Sequence, residues 1–334
     1  MPRPDPVIKT VSSITPLKRP LMTLHQQSLT DAQRDQCLAQ IDRDSYTVLP
    51  ITLPQDTIDQ ANAYIDAYCA NVGQQEKARQ GFSQTNIIEH APIFRALLTY
   101  PPALQLSYDI FGPMFHLGQD KWTRKYRAGD QRDPVAIGWH ADGPLGFPEV
   151  DGRCPLHTLR LGYFMSDATN PDSGTLEVIR GSHKKRVLHA RDSIHYQPFR
   201  GQRQDDFTTD HVTVKGPAGT IIAFHNGIWH RAQPNQTETP RTIVYFQYCH
   251  TMMHPLHRDM PYPGDMAHFT AEERWLLGES GHRNPGSSAR RPTKRAWPAS
   301  VAAPRSSSRF NRCAPASNRV VAGPPPPPIH PDQN

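Results

Sequence analysis

The feature that most constrains the fold is a change of hydrophobic period near residue 114. Before it, apolar residues recur at helical spacing and predict helices over 31–43, 54–71 and 91–111. After it, short apolar runs alternate with turns rich in glycine, proline and aspartate. The predicted strands are 46–49, 114–127, 135–140, 156–165, 175–180, 211–214, 219–224, 229–232 and 241–249. This order predicts a mainly β, α+β chain, with a β-barrel or sandwich core and an N-terminal helical layer.

Composition divides the chain into three parts. Residues 1–27 are rich in proline and predict an irregular lead-in, and residues 28–282 form the predicted domain. Residues 283–334 hold 11 of the 34 prolines together with many arginines and serines. Such a segment cannot bury enough apolar surface to fold, so we expect a disordered tail there. Within the domain, 183–210 is a long polar insert of the kind that covers a site or stays mobile.

The basic charge of the chain comes from its tail. The formal net charge is +6, yet residues 283–334 carry nine Lys or Arg and one acid, which leaves the other 282 residues at −2. A nucleic-acid-binding domain needs a basic stripe with interleaved aromatic residues on its folded surface. Residues 1–282 lack that charge excess, so we expect no nucleic-acid partner. The tail is basic and rich in proline, so an interaction with an acidic partner or with an SH3-like domain stays open.

Cysteine usage and hydropathy bear on the compartment. The five cysteines are scattered, odd in number and without CxxC spacing, which is typical of reduced thiols rather than of disulfides or a zinc site. Prolines interrupt the N-terminal segment where a signal peptide needs an apolar run. No stretch approaches 18 consecutive apolar residues. We therefore expect a cytoplasmic protein without a membrane partner.

A His-x-Asp pair at His140 and Asp142 is the first chemical signal. Two other His-x-acid pairs occur, at His257 and at His330, so the pattern alone carries little information. His330 follows a run of prolines, and His257 lies beyond the last predicted strand. His140, in contrast, ends an apolar strand and opens into a turn. Ligands presented by rigid elements suit metal geometry better than ligands on mobile segments.

Two later residues complete a constellation with this pair. His230 follows in the segment Gly227-Ile228-Trp229-His230, and Arg241 stands eleven residues beyond it. Two imidazoles and one carboxylate form the facial triad of non-haem iron(II) oxygenases, which leaves positions open for a chelating cosubstrate and for O2. The planar, permanently charged fork of Arg241 suits the far carboxylate of a 2-oxo acid. A surface ion pair is the alternative role for Arg241, although its place at the start of an apolar strand favours an inward one.

Several segments, in order, resemble the phytanoyl-CoA dioxygenase family of iron(II)/2-oxoglutarate oxygenases. They cover about residues 29–280. The segments are Leu29-Thr30-Asp31 with Tyr46-Thr47-Val48-Leu49, Pro92-Ile93-Phe94 through Gly112-Pro113, Trp139-His140-Ala141-Asp142, Asp172 through Lys184, and Trp229-His230-Arg231-Ala232 through Arg241. The resemblance implies a double-stranded β-helix (a jelly-roll, cupin-like fold) with iron(II), 2-oxoglutarate and O2. It implies His140, Asp142 and His230 as metal ligands and Arg241 as the ligand of the distal carboxylate.

A lysine on the strand before the metal motif is a further candidate. Lys121 lies on one strand face with Lys125. Lys121 is a candidate for binding the cosubstrate at its C1 carboxylate, or the substrate. The alternative is a solvated strand face.

The predicted function is hydroxylation of an unactivated C–H bond in a small-molecule metabolite, with release of succinate and CO2. Asp142 supports it, because halogenating oxygenases of this type replace the carboxylate ligand by a small residue. Two alternatives stay open: a β-helix protein that binds a ligand without turnover, and a nucleic-acid oxidative demethylase tethered by the basic tail.

Overall fold

We analysed a computed structural model, which describes residues 24–71, 81–128, 139–142, 154–184, 211–255 and 264–279. Its α-helices are α1 (Asp31–Asp44), α2 (Gln55–Asn71), α3 (Pro92–Leu98), α4 (Pro101–Phe111) and α5 (Ala271–Leu276). Its strands are β1 (Tyr46–Val48), β2 (Gly81–Thr85), β3 (Phe115–Lys125), β4 (Thr158–Phe164), β5 (Leu176–Ile179), β6 (His211–Thr213), β7 (Ile221–His225), β8 (His230–Ala232) and β9 (Arg241–His250). None of the described helices has the length and hydropathy needed to span a membrane.

The strands form two antiparallel sheets. The larger has the order β1-β7-β4-β9-β3-β2, and the smaller has the order β6-β5-β8. His140 extends the smaller sheet, because it forms an antiparallel bridge with His230 at the start of β8. An apolar cluster joins side chains of both sheets, among them Phe164, Ile222 and Ile243 from the larger and Val178 from the smaller. The two sheets therefore enclose a common interior.

The helices pack against the outer face of the larger sheet. Because side chains alternate along a strand, Leu161 of β4 and Phe246 of β9 face away from the interior and join the core cluster that also contains Ile65 of α2 and Leu97 of α3. Polar contacts fix the layer in place, for example the Tyr248 hydroxyl, which donates to the carbonyl of Leu98 at 2.7 Å. The predicted N-terminal helical layer is thus present.

Local signals account for most boundaries. Helix α1 begins where predicted, with a capping box in which Thr30 and Gln33 satisfy each other's backbone N–H groups. The helical region predicted over 91–111 consists of two helices: α3 ends at Leu98 and α4 begins at Pro101. Proline lacks an N–H group and disfavours the helical conformation in the residue before it, so the chain breaks there.

Two elements were not predicted. Strand β2 has the sequence Gly-Phe-Ser-Gln-Thr, which shows little β propensity, and it forms by pairing along the edge of β3. Helix α5 is short, but Thr270 and Glu273 form a capping box at its start. Pairing with β3 therefore determines the conformation of β2, and the capping box determines where α5 begins.

Several predictions fall outside the described residues. They are the strand over 135–138, most of the insert (185–210), most of the lead-in (1–23) and the tail (283–334). Residue 282 and residues 1–23 are not described, so the domain boundaries at 28 and 282 remain predictions.

Gly174 makes room for the loop between β8 and β9. Its φ is +74°, and a Cβ atom there would lie 2.7 Å from the backbone nitrogen of Asn235. Asn235 is buried, and its side-chain amide donates to the carbonyls of Lys125 and Thr239, so it anchors the loop that joins His230 to Arg241. We expect Gly174→Ala to lower the free energy of unfolding by about 3 kcal/mol or more, measured by urea denaturation, because backbone strain and a backbone clash add.

Gly112→Ala is the matched control. Gly112 also has a positive φ, +61°, but a Cβ there meets nothing within 4 Å. Its ψ of −145° places it in a conformation that residues other than glycine rarely adopt, so Gly112→Ala should lose only that backbone strain, about 1–3 kcal/mol. Equal losses in the two variants would contradict the proposed role of the close approach to Asn235.

Candidate metal centre

The sheet brings the two histidines together. The backbone N–H of His140 donates to the carbonyl of His230 at 3.0 Å, and the reverse hydrogen bond measures 2.8 Å. Residues paired in this way project their side chains to the same face of a sheet, and the two imidazole centroids lie 4.2 Å apart. The pairing of His140 with β8 is therefore what creates the site.

Asp142 completes a possible ligand set. Its Oδ1 lies 3.8 Å from Nε2 of His140, and its Oδ2 lies 3.4 Å from Nε2 of His230. The candidate ligand atoms of the three residues all lie within 4.8 Å of one another. Two imidazoles and a carboxylate at this separation fit the facial triad.

The tautomer of His230 also suits a ligand. Its Nδ1 lies 3.1 Å from the carbonyl oxygen of Ile228. A carbonyl can only accept a hydrogen bond, so Nδ1 is the donor and Nε2 is the nitrogen left to face Asp142 and a metal. Outer hydrogen bonds of this kind orient histidine ligands in metal sites.

Aromatic packing supports the segment before Asp142. Trp139 lies in a small buried cluster with Ile179 and Trp229. The guanidinium carbon of Arg231 lies 4.8 Å from the centroid of the Trp139 ring, within range of a cation–π contact. The two tryptophans next to the histidines therefore serve as packing for the smaller sheet.

Arg160, which the sequence analysis missed, holds Asp142. It is 6% exposed on β4, and its guanidinium lies 2.8 Å from Oδ2 of Asp142. Burial alone would raise the pKa of Asp142, but Arg160 and the two imidazoles hold that pKa well below its usual range. The carboxylate is therefore charged and available to a metal. The signal in the sequence was an arginine inside the apolar run Leu159 to Leu161.

Arg241 is the second buried arginine of the site. It is 2% exposed at the start of β9, and its Nε has no hydrogen-bond partner. Among the described residues it has no ion pair. Strand alternation places it on the interior face, in phase with Ile243 and Tyr245. A buried, unpartnered guanidinium is costly unless an anion binds it, so this position fits the distal carboxylate of a 2-oxo acid.

Lys121 faces the same interior. It stands opposite Tyr245 in the β3–β9 pairing, and its Nζ lies 5.6 Å from the centroid of that ring. Burial, followed by the nearby charge of Arg160, lowers the pKa of Lys121 to about 8. The alternative, that Lys121 lies on a strand face exposed to solvent, does not fit an amine that is half-buried. Tyr245 is four residues along β9 from Arg241, so Lys121 lies between Arg241 and the triad.

Comparisons with known proteins agree with this geometry. The family described as "Phytanoyl-CoA dioxygenase (PhyH)" matches residues 41–243, more than half of the chain. The chain is 23% identical over 242 residues to an L-proline trans-4-hydroxylase of Streptomyces griseoviridis, covering 66% of this chain and 87% of that protein.

Solved structures share the fold. The epimerase SnoN, in complex with Fe3+, alpha ketoglutarate and nogalamycin RO, matches with a TM-score of 0.54 and 19% identity, over 66% of this chain and 85% of that one. HygX from Streptomyces hygroscopicus, with nickel and 2-oxoglutarate bound, matches with a TM-score of 0.54 and 14% identity, over 71% and 95%.

The fold, the site and the family match together define an iron- and 2-oxoglutarate-dependent dioxygenase. The chain belongs to the phytanoyl-CoA dioxygenase family. The predictions of a double-stranded β-helix, of this enzyme class and of iron with 2-oxoglutarate as cofactor and cosubstrate are confirmed.

Proposed function

We propose that the protein hydroxylates a small molecule at an unactivated C–H bond. His140, Asp142 and His230 would bind iron(II), Arg241 the C5 carboxylate of 2-oxoglutarate, and Lys121 its C1 end. The observation that carries the proposal is the buried guanidinium of Arg241, unpartnered at Nε, on the same interior face as Lys121 and Arg160. Such a charge is costly unless an anionic ligand compensates it, and the C5 carboxylate of 2-oxoglutarate would do so.

The chain's own residues orient the reactants. The Ile228 carbonyl fixes the ring of His230, and Arg160 fixes the carboxylate of Asp142. Arg241 binds the far end of the cosubstrate and thereby sets the direction of its near end. When bound, iron with 2-oxoglutarate and O2 supplies the oxidising power, with succinate and CO2 as coproducts. Positioning and exclusion of water are the protein's contribution.

Relatives support a small-molecule substrate. One is named as a hydroxylase of L-proline, and HygX has been solved with hygromycin B bound. The near-neutral charge of residues 1–282 speaks against the nucleic-acid alternative, and the intact triad speaks against binding without turnover. We also propose a cytoplasmic location, because the four described cysteines are free thiols.

Turnover with a metabolite extract tests the proposal. The purified chain is supplied with iron(II), 2-oxoglutarate and air, and succinate is measured alongside products heavier by one oxygen atom. We expect succinate formation that depends on both iron and 2-oxoglutarate and that rises when the extract is added. Succinate formation that is absent with and without extract, from protein that retains iron, would overturn turnover in favour of ligand binding.

A further inference from the structure

Three polar side chains form one row across the interior wall. In the pairing of β3, β9 and β4, Gln119 stands opposite Gln247, and Gln247 stands opposite Arg160. Directly opposed residues lie close enough for their side chains to interact. The carbonyl oxygens of Gln119 and Gln247 accept hydrogen bonds from one terminal nitrogen of Arg160, at 3.0 and 3.1 Å.

This row keeps unused hydrogen-bond donors. Because both amide oxygens point at the guanidinium, both amide NH2 groups point elsewhere. Among the described residues neither NH2 group makes a hydrogen bond, and the buried Nε–H of Arg160 has no partner. Asp142 occupies the other terminal nitrogen of Arg160. A buried donor without an acceptor, here the Nε–H of Arg160, indicates a ligand that supplies the acceptor, and the two amide NH2 groups beside it can donate to the same ligand.

The row lies on the far side of the site from Arg241. Gln247 is six residues along β9 from Arg241, about 20 Å at the rise of a strand. Tyr245, opposite Lys121, lies between them. A cosubstrate that reaches from Arg241 to the triad therefore runs along the Ile243 and Tyr245 positions and leaves the row of Arg160 to the substrate.

The charge balance calls for an anion. Lys121, Arg160 and Arg241 bring three positive charges to this interior, and Asp142 brings one negative charge. Iron(II) and the 2-oxoglutarate dianion cancel each other, which leaves an excess of about two positive charges before the substrate enters. A substrate carboxylate reduces that excess and accepts from amide and guanidinium donors with both oxygens.

We propose that Arg160, Gln119 and Gln247 form a binding site for a carboxylate group of the primary substrate. The substrate is thus an organic acid, held with its acidic group beside the triad and away from Arg241. This inference rests on the proposed function, because the direction of the cosubstrate defines the substrate side.

A pair of probes of equal shape tests the site. Cyclopentanecarboxylate and cyclopentanecarboxamide are titrated by anaerobic calorimetry into protein loaded with iron(II) and saturating 2-oxoglutarate. We expect the wild type to bind the acid at least about tenfold more tightly than the amide. Gln247→Glu should weaken binding of the acid by about tenfold or more and change that of the amide less than about twofold, since it adds a negative charge at the same shape.

Gln84→Glu is the matched control. Gln84 is also a buried glutamine of the larger sheet, but it accepts from Trp122 on the helix-covered face. It should bind the acid as the wild type does. Gln119→Glu repeats the test from β3 should Gln247→Glu fail to fold.

The possible results distinguish a failure of the inference from a failure of the proposed function. Equal affinity of the wild type for acid and amide, or no measurable binding of the acid, overturns the carboxylate site even when 2-oxoglutarate binds. Undiminished binding of the acid by Gln247→Glu and Gln119→Glu overturns it as well. Failure of 2-oxoglutarate itself to bind the iron-loaded wild type, in the first titration of the series, overturns the proposed function and this inference together.

Discussion

Asp142→Asn should cost the protein its iron. The substitution keeps the shape of the side chain and can keep an oxygen at the Oδ2 position, 2.8 Å from the guanidinium of Arg160. It removes the negative charge that a divalent cation requires. Changes outside the ligand shell already cost 10–100-fold in metal affinity, so a lost ligand charge should cost at least about 100-fold. Iron retained after desalting and succinate formed per minute are the two measurements.

Asparagine is preferable to alanine at this position. Asp142→Ala would leave the buried guanidinium of Arg160 with neither the charge nor the oxygen that now lies 2.8 Å away, whereas asparagine can keep the oxygen. Removing one partner of a buried pair completely costs about 3–5 kcal/mol. Loss of iron could then follow from unfolding. His230→Ala should lose iron as Asp142→Asn does, whereas His116→Gln, a buried histidine that contacts backbone carbonyls of Leu117 and Met253, should keep it. Stoichiometric iron in both Asp142→Asn and His230→Ala would refute the triad.

Periodicity predicted the strands because their environments are regular. Strands β4 and β9 lie in the middle of the larger sheet, and nearly all of their residues are buried. Their apolar runs are therefore visible in the sequence. Strand β2 lies at the edge and depends on β3 for its hydrogen bonds. Its conformation is a tertiary effect, which local composition does not encode.

The same distinction applies to the site. His140, Asp142, His230 and Arg241 were predicted from their order and spacing, which a chemical constellation fixes along the chain. The hydrogen bonds of Arg160 to Gln119 and Gln247 join residues 41 and 87 positions apart. They depend on the register of three strands that are not consecutive in sequence. Such a register follows from packing of the whole sheet, so no local pattern could reveal the row.

The two buried arginines of the site, Arg160 and Arg241, show what the structure adds to the sequence. Arg160 has Asp142 as its counter-charge, whereas Arg241 has no ion pair among the described residues. The sequence places both arginines on apolar strands, but it does not show which of the two positive charges has an acidic partner. We therefore expect the uncompensated arginine to bind an anionic ligand, because its buried charge carries a cost in the ligand-free protein.

Arg241→Ala should therefore have opposite effects on the free and the bound protein. Removing a buried, unpartnered charge should leave the melting temperature of the ligand-free protein equal to that of the wild type or higher. A charge-assisted contact with the C5 carboxylate contributes about 2–4 kcal/mol. The 2-oxoglutarate requirement should then rise by roughly 30- to 1,000-fold, because each ~1.4 kcal/mol is tenfold. Thermal stabilisation by 2-oxoglutarate, large in the wild type, should vanish in the variant.

Two comparisons tie this loss to the distal carboxylate. Arg241→Lys should recover only part of it, since an ammonium group cannot form the planar two-point contact. 2-Oxobutyrate, which lacks the distal carboxylate, should be a poor cosubstrate for the wild type and should lose little further in Arg241→Ala. Iron retention should be unchanged throughout, because Arg241 is not among the three candidate ligands. If Arg241→Ala and the wild type require the same concentration of 2-oxoglutarate, Arg241 does not bind the cosubstrate, and its buried charge needs another anion.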